Sequence, residues 1–189
     1  MIPDKYKKYN PTYLTKGKRS YVYIFSKGKK KYILKTKRPD STATHRMENE
    51  ATFLKKLNKY NIGPKYIDSG EDYIVWEYVK GILLPEFLDT TKKPLPVLKD
   101  ILNQCYILDK LKINKEEMHR PIKHFFVNKN KVTIIDFERC HHTEKPQNVT
   151  QFLQFVQRKY SLNLKKESQE YKLNINKKNF DKIISQLSF

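Results

Sequence analysis

The chain has 189 residues and carries 39 Lys and Arg against 20 Asp and Glu, a net charge of +19. Hydrophobic residues make up 38% and aromatic residues 13%, which excludes a disordered basic tail; no run of about 18 apolar residues marks a membrane span, no apolar stretch near the start marks a signal peptide, and two cysteines cannot build a disulfide framework. What remains is a compact, very basic protein expected in the cytoplasm, with no membrane attachment and a charge that asks for a polyanionic partner, most simply nucleic acid.

The surplus is concentrated at one end. Residues 1–38 hold thirteen Lys and Arg and one acid, Asp4, so +12 of the +19 lies in the first fifth of the chain. Tyr6, Tyr9, Tyr13, Tyr21, Tyr23 and Tyr32 are interleaved with these cations. Aromatic rings beside cations can stack on unpaired bases. They can equally be strand residues packing inward, and the pattern alone leaves both open.

Residues 11–16, 20–25 and 31–36 read as strands, separated by the turns Lys16-Gly17-Lys18-Arg19 and Ser26-Lys27-Gly28-Lys29. Asp40, Ser41 and Thr42 offer N-caps for a helix running to about residue 60, with Ala43, Met47, Ala51, Leu54 and Leu57 as its apolar stripe. Gly63-Pro64 stops it. Residues 66–68 and 73–78 read as two further strands. A short helix near 83–88 and a long one over 97–111 follow, then a hairpin of 125–127 and 132–135. Helices near 147–160, 165–172 and 177–187 complete the chain. Strands, one helix, more strands and then mainly helices make an α+β fold with a sheet-rich N-terminal part and a helical C-terminal part.

Three polar residues occupy places that should be apolar. Lys35 alternates with Ile33 on the inward face of its strand. Glu50 falls between Met47 and Leu54 on the helix stripe, where a lone carboxylate would be costly and needs a cationic partner. Asp136 ends the apolar strand 132–135 and precedes Phe137. A strand lysine, a glutamate on the next helix and a strand-end aspartate match the parts of a phosphotransfer centre, the alternative being a structural salt bridge with a helix-capping aspartate. The lysine holds the α- and β-phosphates of ATP, the glutamate orients the lysine, and the aspartate binds Mg²⁺. Cys140-His141-His142 does not read as a zinc site, because adjacent residues ligate one metal poorly and no second Cys pair exists.

From about Tyr13 to Val156 the chain resembles the protein-kinase-like superfamily, especially its trimmed RIO and Bud32-like branch. Glu50-Ala51-x-x-Leu54-x-x-Leu57 with Gly63-Pro64-x-Tyr66-Ile67 is similar to the helix and following strand of Bud32-like kinases. Ile134-Ile135-Asp136-Phe137 resembles the metal-binding Asp-Phe-Gly segment, with Glu138 in place of the glycine. Trp76-Glu77-Tyr78-Val79-Lys80-Gly81 resembles the hinge, which implies that the backbone of Glu77 and Val79 holds adenine. Gly17 is the one clear glycine of the phosphate-covering loop. The resemblance implies a two-lobed fold, with residues 1–80 as a sheet-rich N-lobe and 81–189 as a small helical C-lobe.

The catalytic loop allows two registers. If His119-Arg120 matches the usual His-Arg, Pro121 stands for the catalytic aspartate, and the resemblance implies an inactive enzyme. Counting back from Asp136 without gaps instead puts His119 at the catalytic aspartate and His124 at the metal-binding asparagine. The second register is preferred, since imidazole can accept a proton near neutral pH and can ligate a metal. Lys123 then sits where a cation can neutralise the transferring phosphate. Asn148-Val149-Thr150-Gln151-Phe152 resembles the start of the helix that braces this loop, without the usual aspartate.

Glu117-Met118-His119-Arg120-Pro121-x-Lys123-His124 together with Ile135-Asp136-Phe137-Glu138-Arg139-Cys140 looks most like archaeal RNA kinases, which phosphorylate a ribose 2′-hydroxyl within tRNA. The resemblance implies ATP and Mg²⁺ as cofactors, tRNA as partner and a monomer. Lys16, Lys18, Arg19, Lys29, Lys30, Lys31, Arg120 and Arg139, with Lys145, are then the expected RNA contacts. A RIO or Bud32-like serine/threonine protein kinase and a non-catalytic RNA-binding module are the competing readings.

Overall fold

The computed structural model describes residues 1–42 and 45–188. Ala43, expected as the first apolar position of the long N-terminal helix, lies outside the described residues. The chain divides into two compact units, residues 1–79 with 134–139 and residues 80–133 with 140–189.

The first unit opens with a one-turn helix, α1 (Asp4–Lys7), followed by β1 (Thr12–Lys16), β2 (Ser20–Lys27) and β3 (Lys30–Lys37). Helix α2 (Arg46–Asn58) leads to β4 (Tyr66–Gly70) and β5 (Tyr73–Glu77). The strands form one antiparallel sheet in the order β1-β2-β3-β5-β4. Helix α2 starts at Arg46, not at the Asp40-Ser41-Thr42 cap expected from the sequence. Asp40 accepts from Arg38 Nε at 2.8 Å instead, so its carboxylate is drawn toward the strand end.

Pairing fixes the two faces of this sheet, because directly opposed residues point the same way. Ile24, Ile33 and Trp76 are opposed across β2, β3 and β5, as are Val22, Lys35 and Ile74. This is the face of α2, which buries Met47, Glu50, Ala51, Phe53, Leu54 and Leu57. On the other face Phe25, Leu34 and Val75 form a second apolar cluster with Tyr6 of α1, flanked by Tyr9, Tyr23, Tyr32 and Tyr73. The central strands are therefore covered on both sides, and α1, which the sequence reading missed, supplies the second cover.

The second unit holds a short strand β6 (Ile82–Leu83), helices α3 (Leu84–Thr90) and α4 (Leu95–Lys110), and β7 (Ile113–Asn114). The hairpin β8 (Phe125–Asn128) and β9 (Lys131–Ile134) follows, then β10 (His141–His142) and helices α5 (Asn148–Tyr160), α6 (Lys165–Leu173) and α7 (Lys177–Ser185). Strand β8 pairs with β6, and β10 pairs with β7. Its core comes from α4 (Leu98, Ile101, Leu102, Cys105, Leu108) and α5 (Val149, Phe152, Leu153, Val156), closed by Tyr171, Phe180 and Ile183. Both cysteines are buried. His141 and His142 are exposed residues of a two-stranded ladder. No helix among the described residues is long and apolar enough to cross a membrane.

Candidate active site

The polar centre of the first unit is built around Lys35. Strand alternation turns its side chain to the α2 face, and α2 brings Glu50 to meet it one turn along from Met47. Lys35 Nζ donates to Glu50 Oε2 at 2.8 Å, to Glu138 Oε2 at 3.1 Å and to Asp136 Oδ1 at 3.2 Å. Lys35 is only 7% exposed and Glu50 2%. Burial alone would drive the lysine pKa down; the three carboxylates outweigh it and raise the pKa, so Lys35 stays an ammonium. Burial pushes the Glu50 carboxyl up against the pull of Lys35.

The segment 134–139 counts with the first unit although it follows residue 80 in sequence, because this unit holds it on several sides. Beyond the Lys35 bonds, the Glu138 carbonyl accepts from Arg46 Nη1 at 3.2 Å and Asn49 Nδ2 at 3.0 Å. Arg19 Nη1 lies 3.5 Å from the Glu138 carboxylate. Phe137 is buried and packs where Gly63 leaves room: a Cβ on Gly63, which has φ +83°, would meet Leu54 Cδ1 at 2.7 Å and Phe137 Cε2 at 2.9 Å. Asp136 itself has φ +66°. Aspartate tolerates this left-handed conformation better than most residues, and such strain concentrates where a site needs a particular side-chain direction.

Glu138 was read from the sequence only as a departure from a motif, yet it supplies a third carboxylate to the centre. One oxygen each of Glu50, Asp136 and Glu138 lie within 4.8 Å of one another. A hard divalent cation takes such oxygen ligands; here the three oxygens surround the Lys35 ammonium, and Asp136, the most exposed of the three carboxylates, is the one open to Mg²⁺. The signal for Glu138 was its place two residues after Asp136.

The other expected nucleotide contacts lie at the sheet margins. The Gly17 N–H donates to the Ser20 carbonyl at 2.8 Å, closing the β1–β2 turn. The Glu77 N–H donates to the Lys65 carbonyl and the Tyr78 N–H to the Lys31 carbonyl, both at 2.9 Å. Val79 closes the first unit. The Glu77 carboxylate pairs with Lys30 at 2.8 Å, so a residue expected to hold RNA meets one expected beside adenine. Lys16, Lys18, Lys29, Lys31 and Arg139 are exposed.

The expected loop residues belong to the second unit. His119 is half-buried, and its carbonyl accepts from Arg158 Nη2 at 2.8 Å. His124 Nε2 lies 3.5 Å from Glu117 Oε2. Arg120, Lys123 and Lys145 are exposed, while Pro121 is buried. The loop follows a buried polar network. Asp109 at the end of α4 accepts from the Asn148 and Val149 N–H groups at 2.9 and 3.2 Å and from Tyr171 Oη at 3.0 Å. Asn148 Nδ2 donates to Asp109 Oδ1 and to the Ile113 carbonyl, both at 2.7 Å, and its Oδ1 accepts from the Lys115 N–H at 2.8 Å. The carboxylate missing from the start of α5 is thus supplied by α4, where it also complements the α5 dipole.

The comparisons agree with this arrangement at the level of fold. No family model matches the chain. Over 93 residues, 49% of this chain, it is 30% identical to a Bacillus subtilis protein named "Putative serine/threonine-protein kinase YrzF". The chain spans 41% of that relative's length. Rio2 kinase from Chaetomium thermophilum, solved as an ADP/Mg²⁺-phosphoaspartate complex, superposes with a TM-score of 0.63 at 14% identity, covering 95% of this chain and 71% of that one. The sheet-rich unit with its Lys35–Glu50 pair and the helical unit with its Asp109–Asn148 brace therefore make a trimmed, α+β protein-kinase-like fold, similar to that of RIO kinases.

Proposed function

We propose that this protein is an ATP-dependent RNA kinase that transfers the γ-phosphate of ATP to an internal ribose 2′-hydroxyl of tRNA. The observation that carries the phosphotransfer part is the buried Lys35 ammonium, held at 2.8 Å by Glu50 with Asp136 at 3.2 Å. A permanently charged lysine beside a metal-capable aspartate is what the phosphates of a nucleotide require. The similarity to a serine/threonine kinase and to a kinase solved with ADP/Mg²⁺ supports the nucleotide and the metal. The +12 charge of residues 1–38 supports RNA as acceptor.

In this reading Asp136 and His124 would hold Mg²⁺, and the ion would supply charge neutralisation on the phosphates. Lys35 grips the α- and β-phosphates, and Glu50 keeps it aimed. The backbone of Glu77 to Val79 meets adenine, and the Gly17 turn covers the phosphates. The ribose 2′-oxygen attacks the γ-phosphorus, the bond to the bridging oxygen breaks, and ADP departs. His119 orients the hydroxyl and accepts its proton, while Lys123 balances charge on the transferred group. A loose transition state asks more for positioning than for base strength, so an imidazole suffices. Residues 1–80 act as N-lobe and 81–189 as C-lobe, and Lys16, Lys18, Arg19, Lys29, Lys31, Arg120 and Arg139 hold the RNA backbone.

The test is incubation with γ-labelled ATP and Mg²⁺, offering bulk tRNA or a generic protein substrate. Label in tRNA, resistant at the modified position to ribonucleases that need a free 2′-hydroxyl and abolished by Asp136→Ala, is the expected result. Label confined to protein would favour the protein-kinase reading, and tight tRNA binding without label would favour a binding module. His119→Ala is expected to slow transfer by about 10²–10⁴-fold; near-normal turnover would sink the preferred register.

A further inference from the structure

The tyrosines of the basic N-terminal region separate into two groups on one face of the sheet. Tyr6, Tyr9 and Tyr32 pack around Phe25 under α1 and are spent on the core; Tyr23 also flanks that core and joins the two groups. Tyr13, Tyr21 and Tyr23 lie toward the β1 edge of the same face. Tyr13 is opposed to Tyr23, and Lys16 to Tyr21. An offset of three residues, from Tyr13 to Lys16, would normally put these two on opposite faces. The register shift between Tyr13 and Thr15 brings both onto the tyrosine face.

The result is an aromatic cluster rimmed by cations. Tyr13 meets Tyr23 edge-on at 6.0 Å and Tyr21 at 6.4 Å, with interplanar angles of 77° and 63°. Edge-on pairs leave ring area uncovered, and Tyr13 is 55% exposed. The Arg38 guanidinium lies 5.8 Å from the Tyr21 ring centroid and donates to the Lys18 carbonyl at 3.2 Å. The cluster is thereby continuous with the Lys16-Gly17-Lys18-Arg19 turn, whose Arg19 reaches the Glu138 carboxylate at 3.5 Å.

We propose that Tyr13, Tyr21 and Tyr23, with Lys16 and Lys18, form a docking platform for a single-stranded segment of RNA, with an unpaired base stacked on Tyr13. The platform rests on the reading of RNA as the acceptor and adds where, and in what state, the RNA is held. Exposed rings give every base a stacking partner, and flanking cations track the phosphates. A duplex hides its bases and would use the cations alone. Pairing with another copy through the exposed β1 edge is disfavoured by the bulge and by Lys16, both of which blunt an edge. The face lies opposite the one that carries Lys35, so the platform grips RNA away from the reacting nucleotide.

The experiment is fluorescence anisotropy without nucleotide, using a labelled unstructured RNA of about ten nucleotides and a hairpin duplex of similar charge. Wild-type protein is expected to bind the single strand more tightly. Tyr13→Ala is expected to weaken single-strand binding about tenfold or more and to leave duplex binding and the salt slope unchanged. Tyr13→Phe keeps the ring and is expected to restore wild-type affinity. In turnover, Tyr13→Ala raises KM for RNA while kcat and KM for ATP stay level. Single-strand binding unchanged in Tyr13→Ala, or equal losses for strand and duplex, overturns the platform even where tRNA is phosphorylated. A protein that binds and phosphorylates no RNA overturns the platform and the RNA-kinase reading together.

Discussion

Lys35 is held by three carboxylates, and their burial decides what each substitution does. Lys35→Met leaves the buried Glu50 carboxyl without its cation, a loss of about 3–5 kcal/mol. Replacing the pair with apolar groups is often neutral. Thermal melts are therefore expected to show Lys35→Met strongly destabilised and Lys35→Met/Glu50→Leu close to wild type, with phosphotransfer absent in both. Equal instability of the single and double variants would contradict the assignment of Glu50 as the main structural partner. Glu138 poses a different question. Its carboxylate occupies Lys35 and Arg19, the cations a phosphate would also seek. Glu138→Gln is expected to tighten nucleotide binding severalfold in calorimetry; weaker binding would mark Glu138 as a ligand of the metal instead.

Among the elements, the one-turn α1 is too short to stand by its own propensity. It is held by Tyr6, which is buried against Phe25, and by Asp68, which accepts from the Tyr6 hydroxyl, from Lys5 at 2.7 Å and from Tyr73 Oη at 3.2 Å. Burial would raise the Asp68 carboxyl, but Lys5 and the tyrosine hydroxyls outweigh it and hold the pKa below the usual range. A depressed carboxyl stabilises the fold above its unfolded pKa of about 3.9 and loses that contribution as pH falls through the folded value. Denaturant titrations are expected to show Asp68→Asn weaker than wild type at pH 6 and the gap closing toward pH 3. The brace on α5 behaves differently, since Asp109 has four donors around it. Asp109→Ala orphans buried N–H groups and is expected to lower the denaturation midpoint much more than Asp109→Asn, which keeps one acceptor oxygen. Apart from α1 and the two-residue strands β6, β7 and β10, the helices and strands of both units were legible in the sequence because their periodicity is local. The start of α2 and the existence of α1 were not: Arg38, two residues away, draws Asp40 off the cap, and α1 is fixed by Asp68, far along the chain.

At the scale of the whole molecule the charge of +19 predicts strongly salt-dependent RNA binding. Not every lysine contributes equally. Lys30 is paired with Glu77 at 2.8 Å, so Lys30→Ala is expected to change the salt slope little. Lys29→Ala/Lys31→Ala removes two exposed cations and is expected to flatten the slope by about 1.5, at roughly 0.7–0.9 per phosphate contact. Filter binding across a salt series reads both.

By itself the sequence determined the order of the longer elements, the basic N-terminal fifth and the three residues Lys35, Glu50 and Asp136 as members of one centre. Those follow from local rules: strand and helix periods, turn residues, and the cost of burying an unpaired charge. Only the tertiary structure decided that Glu138 joins that centre, that Asp109 supplies the carboxylate absent from α5, and that the tyrosines divide between core and surface. Each of these depends on which residues meet across long stretches of chain, and a bulge of one residue in β1 is enough to choose the face on which Tyr13 and Lys16 stand.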